Sequence, residues 1–200
     1  MQTFESWHSS NKWNGGKGMD EFVITNTTAS SEQIIEQLME QYGQEILQLT
    51  YTYVHEHTIA EDLTQEIFLK CYNALPTFNG KSSMKTWLWR IAINHTKDYL
   101  KSWYNQNVQA ANELIIHTID EQTSVEQTVV QHDEDAVLAK SVMQLPVIYR
   151  EVIYLFYFED CTSKEIANLL LVNENTVKTR LRKGKALLKK QLEAFQWTSN

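Results

Sequence analysis

One stripe of side chains between Phe78 and Tyr104 carries the chemistry of a nucleic-acid reader. Trp87, Arg90, Asn94, Lys97 or Asp98, and Lys101 recur at three- and four-residue steps, the spacing of one helix face. A Trp ring can stack on an unpaired base. An Asn amide can pair with a base edge, and Arg and Lys can hold phosphates. The same stripe also suits a merely solvated face on a core helix. The rest of the chain decides between the two.

The element that must carry this stripe is a helix from Met84. Leu88, Ile91, Ala92, His95 and Tyr99 fall on one line, and Trp89, Ile93, Leu100 and Trp103 on a neighbouring one, so a wide face is fit for burial. A turn at Phe78-Asn79-Gly80 precedes it, where Asn and Gly tolerate positive φ. Ser82 or Ser83 can then cap a free backbone N–H of the first turn. Upstream, Ile35, Leu38, Tyr42, Ile46, Leu49 and Tyr53 keep helical spacing and predict a first helix over Ser31 to Tyr53. Thr58 and Glu61 form a capping-box pattern. It predicts a second helix running to about Leu75, ended by Pro76. Leu63, Ile67, Cys71 and Ala74 would point inward, and Asp62, Gln65, Glu66 and Leu69 outward. Three helices up to Tyr104 make a small bundle.

A second group of readers lies near the far end. Asn175, Lys178, Thr179 and Arg182 share the outer face of a helix predicted from Glu174 to about Ala194, flanked by Arg180, Lys183 and Lys185. A basic helix of this kind can enter the major groove. The elements before it fit that use. A helix from Asp133 to Gln144 is broken at Leu145-Pro146. A nearly all-apolar helix follows over Val147 to Phe158. Thr162 and Glu165 then box the start of a short helix over Ser163 to Leu170, and Asn173 can cap the last one. Ile166, Ala167, Leu170, Val172, Val177 and Leu181 take the apolar positions of a helix-turn-helix.

Composition narrows the class. Hydrophobic residues make up 42%, with two prolines and six glycines, which favours an all-α fold. No apolar run approaches the ~18–20 residues of a transmembrane helix, and the start of the chain lacks a basic-then-apolar signal pattern. Cys71 and Cys161 stand far apart without a CxxC, against structural zinc or a disulfide framework and in favour of reduced cytosolic thiols. Net charge is −7, but its distribution matters more than its sum. Lys81 to Lys101 holds five basic residues and one acidic one. Tyr104 to Asp135 holds seven acidic residues and no Lys or Arg. Lys178 to Lys190 holds seven basic residues and no acidic one. Residues 1–30 are polar and patternless, expected to be disordered. Asn14-Gly15-Gly16-Lys17-Gly18 back-translates to a purine-rich tract just before Met19, so translation is expected to start at Met19. Residues 31–104 read as one domain, 105–132 as an acidic linker and 133–196 as a second domain.

These pieces resemble the bacterial extracytoplasmic-function (ECF) sigma factors, small sigma-70 relatives with only domains two and four. Ala60 to Phe68, AEDLTQEIF, looks like the family's polymerase-binding helix. Phe78 to Tyr99, containing TWLWRIAINHTKDY, looks like the −10 recognition and melting segment. Leu145-Pro146 through Leu181 looks like the domain-four signature. The resemblance implies an alternative sigma factor that binds core RNA polymerase and directs promoter recognition, strand opening and initiation. It implies that Asp62, Gln65, Glu66 and Phe68 contact the clamp helices of the largest subunit. Phe78, Asn79, Gly80, Lys81 and Ser82 would capture a flipped −10 base, with Arg90, Asn94 and Asp98 on the same site and Trp87 either wedged against the duplex or buried. Lys178, Thr179, Arg182 and Lys183 would read the −35 element while Asn175, Thr176 and Arg180 hold phosphates. The acidic linker would thread the RNA channel, and domain four would meet the flap. An anti-sigma factor, often membrane-bound in the family, is an implied partner, and the chain itself would stay in the cytoplasm without inserting into a membrane. No catalytic residue, cofactor or metal is expected.

Leu171 stands where the family often has Gly. A branched side chain in a left-handed turn would be strained, so either the turn takes another geometry or the recognition helix tilts. Two other readings are weighed. A helix-turn-helix regulator acting as a dimer without polymerase would not need the first signature. A metal enzyme could use only His55-Glu56-His57, a loop cluster short of ligands.

Overall fold

A computed structural model describes residues 30–114 and 134–198, with side chains over 30–104 and 137–193. The expected disordered N-terminal segment with the start at Met19, and the central part of the acidic linker, lie outside the described residues. The described residues form seven α-helices: α1 Ser31–Val54, α2 His57–Ala74, α3 Met84–Leu114, α4 Glu134–Met143, α5 Val147–Tyr157, α6 Ser163–Leu170 and α7 Glu174–Thr198, with a short 3-10 turn at Leu75–Thr77. The described residues contain no strand.

Local chemistry sets the helix ends. Ser30 and Gln33 close a capping box on α1, each side chain bonding the other's backbone N–H. His55 ends α1 in the left-handed region, φ 60°. The predicted cap of α2 is corrected. Glu56, not Thr58, is the N-cap, and its carboxylate accepts from the N–H groups of Thr58 (3.0 Å) and Ile59 (2.7 Å). One ionised carboxylate satisfies two orphan donors, where the Thr58 hydroxyl could satisfy one. Glu61 pairs instead with His57 at 3.1 Å. Ser83 caps α3 by accepting from Thr86 N–H. That helix runs on past Tyr104, through Leu114.

The first half is a three-helix bundle. Leu38, Tyr42, Ile46 and Leu49 of α1, Leu63, Ile67, Phe68 and Cys71 of α2, and Leu88, Trp89, Ala92 and Ile93 of α3 are buried. Trp89 is fully enclosed, with the Tyr42 ring edge-on at 5.3 Å. Trp103, expected on the buried face, is 52% exposed because α3 by then outruns the bundle. The second half packs α4, α5 and α6 on α7, around Val152, Ile153, Leu155, Ile166, Leu169, Val177 and Leu181. The two halves also touch each other, α5 against α1 and α6 against α3.

Candidate nucleic-acid interface

A cavity of about 320 Å³ opens where the chain enters α3, lined by Thr77, Phe78, Asn79, Lys81, Ser82, Trp87 and Arg90. Its volume is at the small end for a small-molecule site, suited to one base rather than a larger ligand. The loop holds its shape by backbone chemistry. Gly80 sits at φ 70°, a conformation that costs a residue with a Cβ. Asn79 Oδ1 accepts from Lys81 N–H at 3.2 Å, an Asx-type turn. The Phe78 and Trp87 rings meet at 5.3 Å, so Trp87 is half-buried and one wall of the cavity. Arg90 lines the cleft, and its Nε is buried without a hydrogen-bond partner. Asn94 and Asp98 are exposed farther along the same helix. The structure thus gathers Phe78, Asn79, Lys81, Ser82, Trp87 and Arg90 in one place. Gly80 shapes the loop. Thr77 was missed, because next to Pro76 it reads as a helix stop rather than a wall.

On α2, Asp62, Gln65 and Glu66 are exposed. Glu66 Oε2 lies 2.6 Å from His95 Nε2 on α3, a cross-helix pair that no sequence spacing announces. Phe68 is corrected: it is 3% exposed and supports the helix from inside, because its position faces α1 and α3 rather than solvent. Leu69, 62% exposed, is the apolar side chain on this outer face.

The helix-turn-helix is α6, its turn and α7. Thr162 and Glu165 form the expected box on α6. Leu171 resolves the question of the turn: it takes the left-handed geometry, φ 54° and ψ 43°, despite its side chain. At 74% exposure the branch meets solvent, so the cost is the local one of about 1–2 kcal/mol. Val172 N–H closes the turn onto Ala167 O. Asn173 Oδ1 caps α7 by accepting from Asn175 N–H at 2.8 Å. Asn175, Lys178, Thr179, Arg182 and Lys183 face outward and Thr176 is half-buried. Lys178 is tied to Glu174 at 2.7 Å. Arg180 turns inward to Glu151 at 3.0 Å. The same carboxylate accepts from Tyr53 Oη at 3.0 Å and pairs with Lys97 at 2.7 Å.

The His55-Glu56-His57 cluster is accounted for by other contacts. Glu56 caps α2, His57 pairs with Glu61 and His55 lies 3.4 Å from the Arg150 guanidinium. Burial and that cation hold His55 down to about 4. Among the described residues no group of three His, Cys, Asp or Glu side chains is placed to hold a metal, and no helix is long and apolar enough to cross a membrane.

Among the described residues, all helical, a small cleft at one helix start stands in one module and a basic helix-turn-helix in the other, the layout of a two-module DNA-binding protein. Comparison gives the family. Residues 38–104 match Sigma-70 region 2, and residues 136–188 match Sigma-70, region 4. The chain is 32% identical to the RNA polymerase sigma factor YlaC of Bacillus subtilis, over 79% of this chain and 91% of that one. It is 30% identical to the ECF RNA polymerase sigma factor SigW of the same organism, over 76% and 84%. The fold is that of the sigma factor RpoE solved in complex with the anti-sigma factor NepR from Bartonella quintana, with a TM-score of 0.62, 19% identity and coverage of 80% and 97%. The chain belongs to the sigma-70 family, in its ECF group. It is an RNA polymerase sigma factor that directs promoter recognition. A lone helix-turn-helix regulator leaves the region 2 match unexplained.

Proposed function

We propose that the cleft at the start of α3 takes one unpaired base of the −10 element and that the outer face of α7 reads the −35 element. The cleft carries this reading: two aromatic rings, an amide, a lysine and an arginine line a space of about 320 Å³. Stacking on Trp87 or Phe78 would hold the extruded base. Lys81 and Arg90 would neutralise the displaced strand, with Asn94 and Asp98 beside it. Lys178, Thr179, Arg182 and Lys183 would meet base edges, and Asn175 and Thr176 phosphates, at the N-terminal end of α7 where the helix dipole also favours an anion. Asp62, Gln65 and Glu66 would face the polymerase clamp, with Leu69 as an apolar anchor. The protein then acts as a specificity subunit in the cytoplasm rather than as a catalyst. The related fold solved with an anti-sigma factor supports a regulator of that kind for this chain too.

Co-elution with bacterial core RNA polymerase on size exclusion, with Glu66→Lys as control, tests the assignment. Stoichiometric co-elution lost in the folded variant is expected. Failure of the unaltered protein to co-elute would overturn the reading. Given a selected promoter, 2-aminopurine at the captured −10 position should brighten on opening with the unaltered protein and not with Trp87→Ala.

A further inference from the structure

His95 lies on the apolar line of α3 with Leu88, Ile91, Ala92 and Tyr99, yet its ring ends in a polar bond. The His95 side chain is 12% exposed, and its Nε2 lies 2.6 Å from Oε2 of Glu66 on α2, a side chain 59% exposed. An ionised carboxylate can only accept, so Nε2 carries a proton and donates it. Nδ1 is buried without a hydrogen-bond partner. For the core alone this is a poor choice of residue. A buried nitrogen without a partner is destabilising, and an ion pair with one largely exposed member stabilises little. Leu would fill the same line without an orphaned polar atom. What the imidazole adds over Leu is its hold on Glu66.

Glu66 shares the outer face of α2 with Asp62, Gln65 and Leu69, all exposed. A long side chain on such a face samples many rotamers and must be ordered when a partner docks, which weakens binding. A ring held by the packing of α3 on α2 does that ordering in advance. A carboxylate has two oxygens: the ring holds Oε2, and Oε1 is left to accept from an incoming cation. We infer that His95 is a positioning residue for polymerase binding, fixing the Glu66 carboxylate in the orientation that receives a basic side chain of core polymerase. This rests on the proposed contact of Glu66 with polymerase, and adds to it a residue from the helix that carries the −10 stripe.

Two substitutions split the imidazole. Gln places an amide N–H donor as many bonds from the backbone as Nε2, and Asn places one at the distance of Nδ1. His95→Gln can therefore reach Glu66, and His95→Asn cannot. Affinity of the full chain for core RNA polymerase is measured by competition with a labelled copy of the unaltered protein. His95→Gln should stay near the unaltered value. His95→Asn should bind about two- to tenfold more weakly, the affinity lost when one long side chain must be ordered on docking. In a Glu66→Ala background the two should bind equally, because no carboxylate is left to orient. His95→Leu should weaken polymerase binding without lowering the urea midpoint, a split that a purely structural histidine would not give, and it decides the matter if His95→Asn loses its helical circular dichroism. Equal binding by all folded His95 variants, or a loss that persists undiminished in the Glu66→Ala background, would overturn the positioning role while leaving Glu66 at the contact. Binding indifferent to Glu66→Ala itself would strike the Glu66 assignment, and the positioning role with it.

Discussion

Arg182 and Arg180 lie two positions apart on α7 and meet different fates. Arg182 is exposed on the outer face, while Arg180 bends back to Glu151. A free guanidinium can form a bidentate pair with a guanine edge, and one already held by a carboxylate must first be released. Arg182→Ala should therefore weaken −35 recognition by roughly 1–3 kcal/mol, read as promoter affinity of the holoenzyme. Unchanged transcription from a −35-dependent promoter would count against that contact. In the cleft, Trp87→Ala should remove a stacking surface worth roughly 1–3 kcal/mol per base. The loss should appear in strand opening, with duplex −35 binding intact.

At the scale of elements, caps and turns are where the chain departs from simple patterns. Glu56 bonds two N–H groups of α2, so Glu56→Ala should lower the midpoint of a urea melt. Thr58→Ala should lower it less. Leu171 holds a left-handed turn with its side chain in solvent. Leu171→Gly should stabilise the protein by about 1 kcal/mol, because Gly enters that region without a Cβ penalty and little burial is lost. A raised urea midpoint checks this. A lowered one would mean that the Leu171 side chain makes a contact worth more than its strain.

Across the whole molecule the boundary between the halves is sensitive to pH. Burial raises Glu159 to about 7. Lys85 counteracts this, Glu45 adds to it, and the Tyr154 hydrogen bond opposes it. The Lys85 ammonium at 3.5 Å is not close enough to overcome that desolvation. The folded protein thus binds a proton more tightly than the unfolded chain. The associated stability is full below the ordinary value of 4.5 and is lost as pH rises through about 7, on the order of 3 kcal/mol at most. Glu159→Gln should flatten this part of the stability profile between pH 5 and 8, as read by chemical denaturation. Profiles with the same slope in both proteins would show that Glu159 is ionised throughout.

Much of this architecture is legible in local sequence. Helical spacing of Leu38, Tyr42 and Ile46, or of Val177 and Leu181, marks the buried faces, because a 3.6-residue period and the exclusion of apolar groups from water act within one element. The boxes at Thr162 and Glu165, and the turn at Gly80, are likewise short-range chemistry. Trp87 with Arg90, and Arg182 with Lys183, could be picked out as candidate readers from their types and spacing, and the structure places the first pair on one cleft and the second on the outer face of α7. Competition between neighbouring groups was less legible, as when Glu56 displaced Thr58 at the start of α2. What the tertiary structure decided are meetings between residues far apart in the chain. Phe68 lies on the inner side of α2 only because α1 and α3 close over it. Glu66 finds His95, and Glu151 collects Tyr53, Lys97 and Arg180, because packing brings distant helices within hydrogen-bond reach. Periodicity within a segment sets which face is apolar, but which charges meet across a contact depends on how whole helices are placed against one another.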